Sequence, residues 1–166
     1  ALRPAALLCS DMPRALQTAQ ALAARTGLPL RTDALLRERN VGALRGRPWA
    51  TLDFDPTTMD EAPEGGESMA DFLARAAQAW ALAVAHRRAA GGPQVVVSHG
   101  LLIHAVLQRH AHWPAPSDPG APVLPARLAN TSVSEVAADA PHTVLRVDCT
   151  AHLDAPDPHG PAGGAA

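Results

Sequence analysis

The stretch Val95-Val96-Val97-Ser98-His99-Gly100 decides the fold of this chain. A short β-branched run ends in a Ser-His-Gly turn, and residues 101–109 follow with the pattern of a helix. Strands that are apolar on both faces are typical of the inside of a parallel sheet. Ligands of such sheets bind beyond the carboxyl ends of the strands, where the N–H groups and dipole of the next helix favour an anion. The hexapeptide therefore predicts that His99 faces a negatively charged group.

A second strand–helix unit opens the chain. Residues 5–9 have the pattern of a short buried strand, Ser10-Asp11 is the candidate N-cap, and Pro13 suits the first turn of a helix that closes at Gly27. Residues 28–31 predict the next strand. Ser68, with Asp71 three residues on, resembles a capping box and predicts a long helix that runs to about residue 88.

The remaining segments complete an α/β pattern. Residues 33–48 are expected to form a loop, residues 49–60 are compatible with one short helix, and residues 113–125 predict a proline-rich surface loop. Residues 131–136 and 143–147 predict two strands joined by a turn. This order favours a three-layer α/β/α sandwich around a mostly parallel mixed sheet. We expect one domain over residues 1–153 and a mobile tail over residues 154–166.

Composition excludes several classes of protein. The chain has 166 residues and a formal net charge of −2, so it lacks the global basic field that holds nucleic acid. Charges at Asp71 and Arg75 interrupt the long alanine-rich helix, which is therefore not expected to span a membrane. The first residues lack the pattern of a signal peptide, and two cysteines form neither a disulfide framework nor a zinc pair. These features favour a cytoplasmic protein, while the oligomeric state is left open.

Arg14 is a cation in an unfavourable place. It falls in the first turn of its helix, where the helix dipole is positive. Such a cation either pairs with a local acid such as Asp11 or holds an external anion. Arg14 follows the carboxyl end of one buried strand and His99 follows another. If these ends converge, a guanidinium and an imidazole surround one anionic group.

Glu38 lies in a charged segment, between Arg37 and Arg39. One interpretation is a solvated charge cluster. The other is a loop that carries a proton donor or acceptor, with arginines that hold further negative charges of a substrate. Gly42 and Gly46 would let this loop approach a site closely.

The chain resembles the histidine phosphatase superfamily, the phosphoglycerate-mutase-like proteins, in five segments. Ser10-Asp11, Arg14-Ala15 and Gln17-Thr18-Ala19 look like the family's S-D/P-x-x-R-A-x-Q-T-A segment, and Leu36-Arg37-Glu38-Arg39 with Gly42 and Gly46 is similar to its L-x-E-x-x-x-G-x-x-x-G segment. Gly65-Gly66-Glu67-Ser68 and Val96-Val97-Ser98-His99-Gly100 match two further motifs, and Asn130-Thr131-Ser132-Val133 resembles the start of a late strand. Each motif is weak alone, but their shared order and spacing are specific.

The resemblance implies phosphate monoester hydrolysis through a phosphohistidine, with no metal and no cofactor. In the family a first histidine attacks the phosphoryl group, arginines clamp it, a second histidine stabilises it, and a carboxyl group protonates the leaving oxygen. Carried over to this sequence, Arg14 is a clamp, Glu38 the acid or base, and His99 the second histidine. Ser10, Gly100, Arg37 and Arg39 are the expected substrate contacts, and the expected partner is a small phosphorylated metabolite.

The chain departs from the family pattern in one motif. The family's nucleophile lies in an Arg-His-Gly triplet on its first strand, and none of the eight histidines here occurs in such a triplet. The sequence begins where the family's second strand begins, so relative to the family it is N-terminally incomplete. Three explanations are open: the sequence is part of a longer product, it is a natural truncation that binds phosphate without turnover, or another histidine has replaced the nucleophile. We favour the first, because loss of that strand would uncover a large apolar surface.

Other chemistries are less well supported. His110 and His112 lack a carboxylate at ligand spacing, so a metal site is not expected there. Ser98 lacks the flanking glycines of a nucleophile elbow. Two alternatives to the phosphatase remain, namely a mutase that acts on phosphoglycerates and a non-catalytic phosphate-binding or interaction protein.

Overall fold

The computed structural model describes residues 3–48 and 51–154, and it alternates strands with helices. In chain order the elements are β1 (Ala6–Ser10), α1 (Pro13–Thr26), β2 (Leu30–Asp33), α2 (Met69–Ala90), β3 (Gln94–Val97), α3 (Gly100–His110), β4 (Val133–Val136) and β5 (Val144–Cys149). Two 3₁₀ turns, Ala34–Leu36 and Gly42–Leu44, lie between β2 and α2. The prediction for residues 49–60 lies partly outside the described residues, and that for the tail almost wholly.

The first three strands form a parallel sheet in the order β2-β1-β3. Every residue of the central strand β1 is buried. Its side chains alternate between the two faces: Leu8 packs with Phe72 of α2 and Leu102 of α3, whereas Cys9 packs with Ala15 of α1. The sheet is thus covered by α1 on one face and by α2 and α3 on the other. The predicted three-layer α/β architecture is confirmed.

The late hairpin is a sheet of its own in the described part of the chain. Strands β4 and β5 pair antiparallel, with irregular register next to Glu135. A single parallel bridge between His112 and Thr143 ties this hairpin to the segment after α3. The mixed sheet expected from the sequence is therefore divided here into a parallel sheet of three strands and a separate pair.

Helix ends follow local chemistry at three of the predicted positions. The Ser68 hydroxyl accepts a hydrogen bond from the Asp71 N–H at 3.0 Å, so the capping box opens α2 as predicted. Gly27 and Gly91 close α1 and α2 in the left-handed conformation. The expected cap of α1 is wrong, because its N-cap is Met12. The Ser10 hydroxyl accepts the Met12 N–H at 3.3 Å, and the Ser10 and Asp11 side chains also make tertiary contacts, with His99 and Arg37.

The structure also bears on membrane insertion. Within the described ranges, no helix combines the length and the apolar character that crossing a bilayer requires.

Candidate active site

Three side chains meet at the carboxyl ends of β1 and β3. Ser10 ends β1, Arg14 lies in the first turn of α1, and His99 directly precedes α3. The Arg14 Nε–H donates to Nδ1 of His99 at 3.1 Å, and Nε2 of His99 lies 2.9 Å from Oγ of Ser10. Because β1 and β3 are parallel neighbours, their ends fall at one edge of the sheet. The structure thus brings together residues that are 85 and 89 positions apart.

The contacts of His99 assign its protonation state. A guanidinium only donates, so Nδ1 must accept from Arg14, and the ring proton lies on Nε2 and is donated to Ser10. The side chain is 6% exposed. Burial, followed by the charges of Arg14 and Arg75, lowers the pKa of His99 to about 4. At neutral pH the site therefore contains a neutral imidazole with one N–H to donate.

Arg14 forms no ion pair with an acidic residue in the described part of the chain. The first turn of α1 contains no acidic residue, and Asp11 forms a two-fold ion pair with Arg37, at 2.6 Å from Nε and 2.5 Å from a terminal nitrogen. Among residues 3–48 and 51–154, no carboxylate forms an ion pair with Arg14, whose side chain is exposed. Of the two alternatives left open by the sequence, pairing with Asp11 is therefore wrong.

Glu38 occupies the N-terminal end of α3. Its two carboxylate oxygens accept hydrogen bonds from the N–H groups of Leu101 and Leu102 at 3.1 and 3.2 Å, and from the Arg39 N–H at 3.0 Å. The sequence predicted that this helix end would attract an external anion. Here the favourable dipole is used by a carboxylate of the protein itself, which places Glu38 next to the His99 backbone.

The two arginines that flank Glu38 have different environments. Arg37 is exposed and forms an ion pair with Asp11. The hydrogen bond from Arg37 lowers the pKa of the Asp11 carboxyl group. Arg39 is only 4% exposed, and its terminal nitrogens donate to carbonyl oxygens of Pro56, Thr57, Met59 and Glu67. This differs from the expected substrate contact. A buried guanidinium that bonds four backbone carbonyls is explained by support of the loop and not by ligand binding.

Gly100 is the first residue of α3 and is exposed. A Cβ atom at this position would meet nothing within 4 Å. The glycine therefore leaves open space beside His99, where a ligand can approach the backbone.

Sequence reasoning missed Arg75 and Glu67. Arg75, on α2, binds the Glu67 carboxylate and three carbonyls of the segment that contains Glu38. The available signal was Glu67, which lies in the quoted Gly-Gly-Glu-Ser motif. Arg75 itself was noted only as a charge on a helix. For metals, no cluster of three or more His, Cys, Asp or Glu side chains suited to bind an ion occurs in the parts of the chain that the structure describes.

Comparison with known proteins shows the family of the chain. Residues 1–148 match the family model of the histidine phosphatase superfamily, branch 1. The chain belongs to this superfamily.

The chain is also similar in sequence to two curated relatives with named activities. A glucosyl-3-phosphoglycerate phosphatase from Mycobacterium tuberculosis is 36% identical over 132 residues, covering 68% of this chain and 59% of the relative. A probable phosphoglycerate mutase from Yersinia pestis is 34% identical over 140 residues, covering 78% and 61%. The chain thus spans about three fifths of the length of these curated relatives.

A solved structure shows the same fold. The mycobacterial glucosyl-3-phosphoglycerate phosphatase in complex with inorganic phosphate superposes with a TM-score of 0.63 at 32% identity, covering 81% of this chain and 70% of that one.

Proposed function

We propose that this chain provides the phosphate-binding part of the active site of a phosphatase that hydrolyses small phosphate monoesters through a phosphohistidine. One observation carries the proposal: the exposed Arg14, which forms no ion pair with any acidic residue that the structure describes, donates to the buried, neutral His99. A cation and an N–H donor held together at the carboxyl edge of a parallel sheet suit a tetrahedral oxyanion.

The roles of the residues follow from charge. Phosphoryl transfer spreads negative charge over the equatorial oxygens, and preorganised donors stabilise it. Arg14 supplies a fixed positive charge, and the Nε2–H of His99 moves from Ser10 to a phosphoryl oxygen when phosphate binds. Ser10 and the backbone at Gly100 are the further contacts we propose. The leaving oxygen takes up a proton, and we propose that the Glu38 carboxylate at this edge takes this proton from solvent and passes it to the leaving oxygen.

Phosphate binding by the chain itself is the first test. We expect Arg14→Ala to weaken binding of inorganic phosphate about 10- to 100-fold, the usual value of a charge-assisted hydrogen bond. Titration calorimetry or ³¹P NMR measures it. Arg25→Ala is the matched control, because Arg25 lies in the last turn of the same helix and is exposed. Equal affinity in both variants would contradict the proposal.

Turnover is the second test. We propose to assay p-nitrophenyl phosphate with the chain and with a version extended by a segment that contains Arg-His-Gly. In the form that turns over, His99→Ala is expected to lose most activity, because the transferring group loses its N–H donor. Activity on p-nitrophenyl phosphate that survives His99→Ala, or activity on glycerol phosphate, whose alkoxide leaving group needs a proton, that survives Glu38→Gln, would show that these roles are wrongly assigned.

Two other functions have specific support. One is a phosphate-binding protein without turnover, in which Arg14 and His99 bind phosphate but no assay shows hydrolysis. The match to a probable phosphoglycerate mutase favours phosphoryl transfer between positions of a phosphoglycerate. A mutase would isomerise this substrate faster than it releases phosphate.

The substrate class and compartment complete the proposal. We propose a small phosphorylated metabolite, because the named relatives are a glucosyl-3-phosphoglycerate phosphatase and a probable phosphoglycerate mutase. Inhibition by mono- and diphosphorylated sugars would test for a second anionic group. Two free cysteines, Cys9 and Cys149, favour the cytoplasm as the compartment. We propose no nucleic-acid partner.

A further inference from the structure

Arg75 is the most fully bonded cation near the site, although it lies on α2, behind the groups that face a ligand. Its side chain is 17% exposed. Nε and one terminal nitrogen bond the two oxygens of Glu67, each at 2.7 Å. The terminal nitrogens also donate to the carbonyls of Leu35, Arg37 and Glu38 at 2.9, 2.8 and 3.3 Å. All three guanidinium nitrogens are therefore used.

The three carbonyls lie within a run of four residues, 35–38, which ends at Glu38. Among the described residues between β2 and α2, the regular structure is limited to short 3₁₀ turns, so most carbonyls there lack secondary-structure partners. The planar Arg75 guanidinium donates to three of these carbonyls and thereby fixes the direction of the backbone at Glu38. From there the Glu38 carboxylate reaches Leu101 and Leu102 at the start of α3.

Glu67 fixes Arg75 in turn. Its carboxylate binds the guanidinium side-on and also accepts the Asn40 N–H at 2.9 Å. Burial would raise the pKa of Glu67, but the bonds from Arg75 and Asn40 outweigh it, and the pKa is lowered. Both partners are thus charged, and both oxygens of the carboxylate are bonded.

We propose that Arg75 is the positioning residue for Glu38: by binding the carbonyls of Leu35, Arg37 and Glu38, with Glu67 as its anchor, it holds the Glu38 carboxylate at the start of α3, beside His99. The kinetic consequence rests on the proposed function, in which Glu38 transfers the proton. The geometric consequence does not depend on it.

The geometric test uses the chain as it is. The amide resonances of Leu101 and Leu102 report directly whether Glu38 accepts their protons. In Arg75→Lys we expect both resonances to move toward their positions in Glu38→Ala. The reason is that a lysine ammonium cannot make the same set of hydrogen bonds as the planar guanidinium. Arg87→Lys is the control: Arg87 lies on the same helix, and its partner Asp139 is 91% exposed. A folded Arg75→Lys with both amides unchanged overturns the proposal.

A second variant covers the case in which Arg75→Lys does not fold. Glu67→Gln keeps the guanidinium but removes the charge of its anchor. We expect the same two amides to shift in the same direction and by less. Unchanged amides in folded Glu67→Gln overturn the proposal as well.

The kinetic test separates positioning from general destabilisation. A p-nitrophenolate leaves without much need of a proton, whereas an alkoxide requires one. In the form that turns over p-nitrophenyl phosphate, Arg75→Lys should lower kcat for glycerol phosphate at least about tenfold and leave KM unchanged, while kcat for p-nitrophenyl phosphate stays within about threefold. Equal losses on both substrates overturn the proposal. If no form of the wild type turns over, the proposed phosphatase fails, and the amide measurement still decides the role of Arg75.

Discussion

His99 is an imidazole held neutral by its surroundings. It is buried, its Nδ1 accepts a hydrogen bond from the Arg14 guanidinium, and its Nε2–H donates a hydrogen bond to Ser10. The charges that face it come from three elements: Arg14 on α1, Arg75 on α2, and Asp11 after β1. Arg14 and Arg75 oppose protonation and Asp11 favours it, and the net effect with burial is a pKa of about 4. Protonating His99 therefore costs native-state stability.

The pH dependence of folding tests this environment. The unfolded chain binds a proton at His99 near pH 6.5, but the native state only near pH 4. The contribution of neutral His99 to the free energy of unfolding is therefore fully present above about pH 6.5. It is lost as the pH falls toward 4, by about 3 kcal/mol at most. We expect urea unfolding between pH 7 and 4.5 to show this loss in the wild type and a flatter profile in His99→Gln.

The control for this experiment is His152→Gln, because His152 is exposed. It should keep the wild-type pH profile. A profile of His99→Gln that falls as steeply as that of the wild type would contradict a buried neutral His99.

At the scale of elements, the loop after β2 and the loop before α2 are joined backbone to backbone. The Ala43 N–H donates to the Glu64 carbonyl at 2.9 Å, and the Glu67 N–H donates to the Asn40 carbonyl at 2.8 Å. Gly42 lies at this contact with a φ of +51°. A Cβ atom there would collide with the Glu64 carbonyl oxygen and lie 2.7 Å from the Gly66 nitrogen. Only glycine permits this approach.

We predict that Gly42→Ala destabilises the chain more than Gly46→Ala. Gly46 also has a positive φ, of +79°, but a Cβ atom there meets nothing within 4 Å. Gly46→Ala should cost about 1–2 kcal/mol for the left-handed conformation alone. Gly42→Ala should cost about 1–3 kcal/mol more, because backbone must move. Chemical denaturation measures both, and equal losses would show that the two loops do not touch at Gly42.

At the scale of the whole molecule, the parallel sheet has an open edge. Within the described residues β3 pairs with β1 only, and its four residues are half-buried, whereas all of β1 is buried. An apolar strand with unpaired N–H and C=O groups is a template for pairing with another chain. We predict that the chain associates as its concentration rises, which light scattering or sedimentation will detect. A constant monomer mass across the range would contradict this.

We predict that phosphate binding by the whole molecule does not depend on a metal ion. Because phosphate binding is assigned to Arg14 and His99, we expect affinity for phosphate to be the same before and after treatment with a chelator. A loss that is restored by adding a divalent ion would show that the anion is held in another way.

The sequence by itself determined the elements whose causes are local: the apolar strands β1 and β3, the capping box of α2, the glycine ends of α1 and α2, and the position of His99 between β3 and α3. The tertiary structure alone decided which charges meet. Asp11 pairs with Arg37, 26 residues away, and not with Arg14; Glu38 reaches an N–H 63 residues away; and Arg39 is buried. The reason is that hydrophobic periodicity and capping act within a few residues, whereas an ion pair depends on the three-dimensional path of the chain between its partners.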